Sequence, residues 1–416
     1  MKKACFTFAL FLACSTLTLS QKKIAKQNER KPYFPAAQAW QHKLPQQAGF
    51  DSSRLNEAIS FAIEKESKQP RSMEVSHAMS FGKEPFGESM GPFADRGEPT
   101  GLIIHKGYII AEWGEPQRVD MTHSVTKSFL SAVVGLAVDR GLIKSVNDTV
   151  ANCVGPVEMY DPLQLKRAAE DIGNPQLLSP FSSAHNRSIT WEVMLRQTSD
   201  WEGILWGKPD WADRPDANVA NWLNRKRNAP GSVFEYNDVR VNALALAATS
   251  VWRRPLPKVL KEQIMDPIGA SATWRWTGYK NAWIVLDGEP VQSVSGGGHW
   301  GGGMFINAYD MGRFGLLTLH DGVWNGKQLI SKQWIKQSLT PTPAQPTYGY
   351  MNFFINTDKK YLSNAPAGAF VHVGNGANII YVDREHDLVM VVRWIENAAI
   401  NELVKKVLEA IAGKEN

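Results

Sequence analysis

From Asp51 onward, Leu55, Ile59, Ala62 and Ile63 recur at helical spacing and predict a helix at the start of the folded region. Leu102–Ile104 and Ile109–Ala111 are apolar runs on either side of Lys106-Gly107, the pattern of a β-hairpin. A long helix is predicted from Ser124 to Arg140. Its apolar stripe is Val125, Phe129, Val133, Leu136 and Ala137, and Gly141 stops it. Residues 142–255 read as mainly helical, with helices near 190–197, 217–227 and 239–252 and no run of strands. Another helix follows Pro257, and Asn307–Asp310 resembles a capping box opening a helix through Leu319. The last hundred residues change character. Tyr348–Ile355, Ala369–Val373, Ile379–Asp383 and Leu388–Ile395 read as strands, and Asn401–Ala412 as a closing helix. Strands near both ends and helices between them, without βαβ alternation, predict an α+β fold: an antiparallel sheet flanked by terminal helices, with an inserted mainly helical domain. The α/β lobe takes 48–141 and 256–416, and the inserted lobe takes 142–255.

The front of the chain has a different pattern. Lys2-Lys3 precede an apolar, uncharged run from Ala4 to Leu19, about 16 residues where a membrane span needs roughly 20. Residues 1–20 therefore read as a signal peptide, and the polar stretch 21–47 as a tether or wrapping arm. Thr18 and Ser20 suit a cut at Gln21, whereas Phe11-Leu12-Ala13-Cys14 loosely resembles a lipobox, so lipidation at Cys14 is the alternative. Either way the protein is expected to be exported, periplasmic or secreted, with membrane attachment only through a lipid on Cys14. A cut at Gln21 leaves Cys153 as the only cysteine, so no internal disulfide can form.

Composition is that of an ordinary globular chain: 43% hydrophobic and 21% charged among 416 residues. The net charge of +5 has no basic block behind it, which argues against a nucleic-acid partner. No His-Glu-x-x-His, paired cysteines or calcium loop is present, so neither a metal nor another cofactor is expected.

The sharpest chemical signal is His123-Ser124-Val125-Thr126-Lys127. Three residues apart at a helix start, Ser124 and Lys127 share one face, and a lysine of lowered pKa can take the proton of a serine hydroxyl. Taken singly, Ser124 also suits an N-cap, with Lys127 solvated. Two further elements follow in order: Pro230-Gly231-Ser232-Val233-Phe234-Glu235-Tyr236-Asn237-Asp238, and Phe370-Val371-His372-Val373-Gly374-Asn375-Gly376. With these three the chain resembles the serine β-lactamase superfamily from roughly Phe50 to its end. The likeness is to the class C-like branch, with its D-alanyl carboxypeptidases, family VIII esterases and 6-aminohexanoate-dimer hydrolases. The resemblance implies Ser124 as acylated nucleophile and Lys127 with Tyr236 as the proton-transfer pair. It also implies an oxyanion hole made by the backbone N–H groups of Ser124 and Asn375.

The motifs depart from the family's pattern twice. Asp238 stands where the family has a carboxamide; it is expected among the substrate-binding residues, and would either pair with Lys127 or cap the helix starting at Val239. His372 stands where β-lactamases carry lysine. A mostly neutral imidazole beside Gly374 suits esters and uncharged amides better than carboxylated substrates. His299 and Trp300, on the glycine-rich Gly296–Gly303 stretch, are expected to touch substrate. Trp201 and Trp206 are either core or an apolar wall for the substrate. Gly87–Gly91 spells a nucleophile elbow but is flanked by Pro85 and Pro92, which fits no strand-turn-helix unit. The expected activity is an acyl-enzyme serine hydrolase acting on a small ester or uncharged amide. The alternatives are a β-lactamase or D-Ala-D-Ala carboxypeptidase, and a non-catalytic binding or sensor relative.

Overall fold

Six strands make the main sheet of the computed structural model, in the order Phe354–Ile355, Phe370–Gly374, Asn378–Asp383, Leu388–Arg393, Thr100–His105 and Tyr108–Trp113. Every neighbouring pair is antiparallel. The structure describes residues 32–162 and 175–412. The chain divides at Pro32, and all the described structure except Pro32 belongs to the unit beginning at Tyr33. The signal-peptide and lipobox readings lie outside the described residues, as does the first part of the arm.

Both faces of the sheet are covered, which is why its strands read as near-continuous apolar runs. Ile103, Val371, Ile379, Tyr381, Met390 and Val392 pack against Leu55, Ala58 and Ala62 of the Ser52–Glu64 helix and against Leu403, Val404 and Val407 of the Ile400–Glu409 helix. These are the flanking terminal helices that the sequence predicts. The alternate residues Leu102, Ile104, Ile380, Val382, Val389 and Val391 face the Ala308–Leu319 helix and the larger core. In that core the Thr126–Asp139 helix is buried all round from Thr126 to Ala137, and the Asp238–Trp252 helix from Asp238 to Thr249.

The latter part of the arm wraps the body. Lys43 N donates to Ile109 O and Ile109 N to Gln41 O, covering the edge strand, while Tyr33 stacks on Tyr108 at 4.2 Å.

Residues 142–255 are less separate than their helical reading implies. Val157–Met159 and Leu177–Leu178 are short strands that extend a second sheet built on Arg275–Leu286. That twelve-residue strand and its partner Glu289–Val294 are absent from the sequence reading. Gly278, Lys280 and Asn281 interrupt its apolar pattern, although Asp287-Gly288, with φ of 54° and 85°, is the Asp-Gly turn of a tight hairpin. In the other direction, most of the predicted strand Tyr348–Ile355 is a tight loop, and only Phe354–Ile355 pairs. Aromatic residues pack that loop, and the Tyr348 hydroxyl accepts from Asn352 N and Gln197 Nε2. No described helix is long and apolar enough to cross a membrane.

The two sheets meet at Arg393. Its buried guanidinium donates to Ile306 O and Met121 O of the second sheet, at 2.6 and 2.8 Å, and to Asn378 Oδ1 of its own sheet at 2.7 Å. Arg393→Met removes the donor from all three acceptors, each worth about 1–3 kcal/mol when left unpaired. Thermal denaturation should show a Tm lower by several degrees. An unchanged Tm would mean that the joint is held elsewhere.

Candidate active site

Ser124 sits in a 3-10 turn, His123–Val125, that leads straight into the Thr126–Asp139 helix. The turn follows the strand Asp120–Met121, whose end Arg393 grips. His123 is held at φ 47°, a left-handed backbone that costs a non-glycine residue on the order of 1 kcal/mol. Ser124 does not act as a side-chain cap, so its hydroxyl is free for other partners.

Lys127 Nζ donates to Ser124 Oγ at 2.9 Å. The lysine is fully buried, which removes the solvated alternative, and it forms an ion pair with Asp238 Oδ1 at 2.6 Å. Capping of the Asp238–Trp252 helix falls to Asn237, whose side chain accepts from Arg240 N. Asp238 is therefore the partner of Lys127 and does not line the pocket, contrary to its expected contact with substrate. Burial pushes its carboxyl up, but Lys127, Arg214 and His299 outweigh that and hold it down at about 2. Gly297 closes over the pair. A Cβ there would fall 2.1 Å from Lys127 Nζ and 2.6 Å from Asp238 Oδ2, so the glycine-rich stretch is a close-packed lid on the ion pair.

Tyr236 hydrogen-bonds Ser124 through its hydroxyl, and Lys127 Nζ stands 4.6 Å from its ring centre. Burial first, and then the negative charge of Asp238, push the phenol well above its ordinary value. Asn375 borders the same pocket. Its side chain accepts from Gln69 Nε2, its carbonyl accepts from Asn378 Nδ2, and Asn378 is in turn held by Arg393. Gly374 lies beside it, and a Cβ on Gly374 would strike Thr122 O at 2.1 Å.

The pocket beyond Ser124 has a volume of about 600 Å³. Its walls are mostly apolar, from Phe354, Tyr361, Leu362, Val371 and Val373, with Asn397 and Asn401 farther along. Arg214 also lines it, and was not singled out from the sequence. Its guanidinium lies 5.1 Å from the Tyr236 ring and 5.3 Å from that of Phe81, and pairs with the buried carboxylate of Asp213. Arg214 lies in a loop and Phe81 opens a short 3-10 turn, neither with a local motif, so only the tertiary fold brings them here.

Other candidate substrate contacts are also turned away. Strand alternation points Val371 and Val373 into the pocket, leaving His372 on the opposite face. There it is wholly buried against Phe314, Phe353 and Phe370 at 4.6–5.6 Å, and burial pushes it down to about 3. Trp201 and Trp206 are core residues, and Trp201 Nε1 donates to Pro180 O at 2.7 Å. Trp300 is fully buried, and its carbonyl ties down Met90 N and Gly91 N.

His299 is turned away as well, buried between two carboxylates. Nε2 is 2.7 Å from Glu84 Oε2, and Nδ1 is 3.4 Å from Asp213 Oδ1. Glu84, Asp213 and His299 are the one group among the described residues close enough to share an ion. The carboxylates address different ring nitrogens, and Asp213 already accepts from Arg214 and from Asp238 N. This suits an imidazole bridging two acids and does not make a metal centre.

His372→Lys should destabilise the fold by about 2 kcal/mol or more, because no anion faces that cage, whereas His372→Leu should cost less than about 1.5 kcal/mol. The unfolded imidazole takes up a proton below about pH 6.5 that the folded one refuses down to about 3, so this site lowers stability as pH falls through that window. Urea unfolding at pH 7.5 and 5 measures both effects. His372→Leu should lose part of the acid sensitivity.

The family model described as Beta-lactamase matches residues 116–394, well over half of the chain. Among solved structures, a putative β-lactamase from Bacteroides dorei aligns with a TM-score of 0.53 at 14% identity, covering 87% of this chain and 99% of that one. A family VIII carboxylesterase aligns with a TM-score of 0.51, 14% identity and the same coverages. A penicillin-binding protein homologue from Caulobacter crescentus does so with identical values. At such identities these likenesses speak for the fold alone. The span of the family match, taken with the fold and the ordered Ser124, Lys127 and Tyr236 constellation, places the chain in the Beta-lactamase family.

Proposed function

We propose that this protein is a serine hydrolase that cleaves a carboxylic ester or an uncharged amide through an acyl-enzyme on Ser124. One observation carries the reading: Ser124 Oγ lies between the Lys127 amine, 2.9 Å away, and the Tyr236 hydroxyl, at the head of an apolar pocket. Attack by Oγ on a carbonyl carbon requires loss of the hydroxyl proton toward Lys127. The developing oxyanion is met by the N–H groups of Ser124 and Asn375, and the leaving group takes a proton through Tyr236. A binding or sensor relative would have no use for this three-way contact. The family VIII carboxylesterase among the structural neighbours is consistent with an ester substrate.

The preference for uncharged substrates no longer rests on His372, which faces away from the pocket. It rests on charge balance. Arg214, the charged residue among the described pocket lining, is already paired with Asp213. Lys127 is likewise paired with Asp238. A carboxylated substrate must compete with Asp213 for the guanidinium, and a neutral ester need not. The β-lactamase or D-Ala-D-Ala peptidase reading is favoured only by the presence of Arg214 at the pocket. Export is part of the proposal, on the strength of Lys2-Lys3 and the Ala4–Leu19 run, with lipidation at Cys14 as the alternative. N-terminal mass analysis of the mature protein separates the two.

Intact-protein mass spectrometry with a fluorophosphonate should show one adduct, lost in Ser124→Ala. That variant should retain its Tm and lose ester turnover. Lys127→Ala and Tyr236→Phe should each lower kcat/KM by about 10²–10⁴. Substantial turnover in Ser124→Ala would overturn the assignment. Short-chain phenyl esters should be cleaved at least about tenfold faster than penicillins at pH 7.5, the gap expected when a charged contact is forfeited. Equal rates would remove the charge-balance argument.

A further inference from the structure

We infer that Asp238 stores the proton that Lys127 must shed before it can take one from Ser124, so that the Lys127–Asp238 pair is the basic unit of the site and Asp238 is its positioning residue. The inference rests on the serine hydrolase reading above. An ammonium has three donors and no acceptor, so Lys127 in its ion-paired form donates to Ser124 Oγ and cannot deprotonate it. Tyr236 offers no ready phenolate, because burial and the neighbouring Asp238 charge both oppose ionisation. The remaining acceptor within reach is Asp238 Oδ1, 2.6 Å from Nζ.

Lys127, Arg214 and His299 oppose protonation of Asp238, and two features work against that pull. Both side chains are almost wholly excluded from solvent, and Gly297 seals them with its backbone. Desolvation penalises each charge of the ion pair and neither member of the neutral pair, which narrows the gap between the two forms. The carboxamide usual at this position in the family accepts hydrogen bonds but holds no proton. An aspartate does.

The step balances. A proton passes from Nζ to Oδ1, leaving a neutral amine beside a carboxylic acid. The Nζ lone pair removes the Ser124 proton as Oγ forms its bond to the acyl carbon and the carbonyl π pair moves onto oxygen. Collapse breaks the bond to the leaving group, which departs with the Tyr236 hydroxyl proton as that hydroxyl takes the one from Nζ. The acid then returns its proton to Nζ, and the ion pair is restored with Ser124 acylated.

Several charged and titratable groups face the pair. Arg214 and His299 face Asp238, and Asp213 accepts its backbone N–H. Arg214 stays a cation, and burial pushes Asp213 upward. His123 faces both members of the pair and is pushed down to about 4 by burial, Arg393 and Lys127. Tyr279 toward Asp238 and Tyr348 toward Lys127 are both pushed up by burial.

The test is the pH dependence, from pH 5.5 to 9, of p-nitrophenyl butyrate hydrolysis and of fluorophosphonate labelling at Ser124, for the wild type and Asp238→Asn. With the proton kept inside the pair, wild-type kcat/KM and labelling rate should be flat across this range. Without the store, the Asp238→Asn variant should follow ionisation of Lys127. Its activity relative to wild type should then rise at least about tenfold between pH 6 and 9, the change produced by a one-unit difference in the controlling pKa. A purely structural role for Asp238 would lower activity equally at every pH, and that result overturns the inference. So does a wild-type acid limb at or above pH 7, which is measurable even if Asp238→Asn does not fold. No adduct on Ser124 at any pH would instead be a failure of the serine hydrolase reading, and the inference would fall with it.

Discussion

The site depends on one buried guanidinium. Arg393 ends a strand of the main sheet and reaches across to Ile306 O and Met121 O in the second sheet. Met121 lies three residues before Ser124, and Asn378, the third partner of Arg393, holds the carbonyl of Asn375. The two main-chain segments expected to supply the oxyanion hole thus hang from a single side chain. Burial pushes Arg393 down to about 10, with Arg118 adding to the push and Asp120 opposing it, so it still carries its charge at neutral pH. A planar fork with five donors can satisfy three acceptors in fixed directions at once, and a lysine ammonium cannot match that geometry.

With the backbone held in this way, the polar chemistry can be packed as densely as a core. Lys127, Asp238, Asp213 and Arg214 form two ion pairs joined where Asp238 N donates to Asp213. His299 and Glu84 continue the chain outward. Burying charges at this density is costly unless each has its partner, and Lys127 supplies one for Asp238 as Arg214 does for Asp213. The absence of a side chain at Gly297 lets the pair close, and the left-handed turn at His123 aims Ser124 at it.

What the sequence reveals follows from how local each feature is. Ser124 and Lys127 are three residues apart on one helix turn, so their contact is legible from spacing alone. Tyr236 and Asn375 become legible through the order of motifs. Asp238 was open between two roles, and Asn237 decided the matter by taking the cap. His372 shows the limit of carrying a position over by motif. Its place in the strand was right, but alternation gives Val371 and Val373 to the pocket, and the facing Phe314 and Phe353 come from elsewhere in the chain. Trp300 and His299 went astray for the same reason, since an aromatic side chain in a loop carries no sign of which way it faces, while Trp201 and Trp206 take the core alternative. Arg214 and the short Phe81–Glu84 segment converge from separate parts of the chain and leave no periodic trace. The hairpin at Asp287-Gly288 differs from these, because its turn signal was present and only the interrupted apolar pattern of Arg275–Leu286 obscured it.

The same packing bears on what the pocket can select. Lys127 and Arg214 already have carboxylate partners, so the local field offers little to draw in a charged substrate. Discrimination then falls to shape and apolar area. Tyr361, Leu362, Val371, Val373 and Phe354 present a wall that gains roughly 25 cal/mol for each Å² of substrate it removes from water. A substrate that fills this wall with a hydrocarbon acyl or alcohol group spends its binding energy on positioning the carbonyl over Ser124. One that brings a carboxylate must first break the Arg214–Asp213 pair, and so disturbs the charge chain on which Lys127 depends. The proposed selectivity for neutral substrates and the proposed activation of Ser124 thus draw on the same buried network.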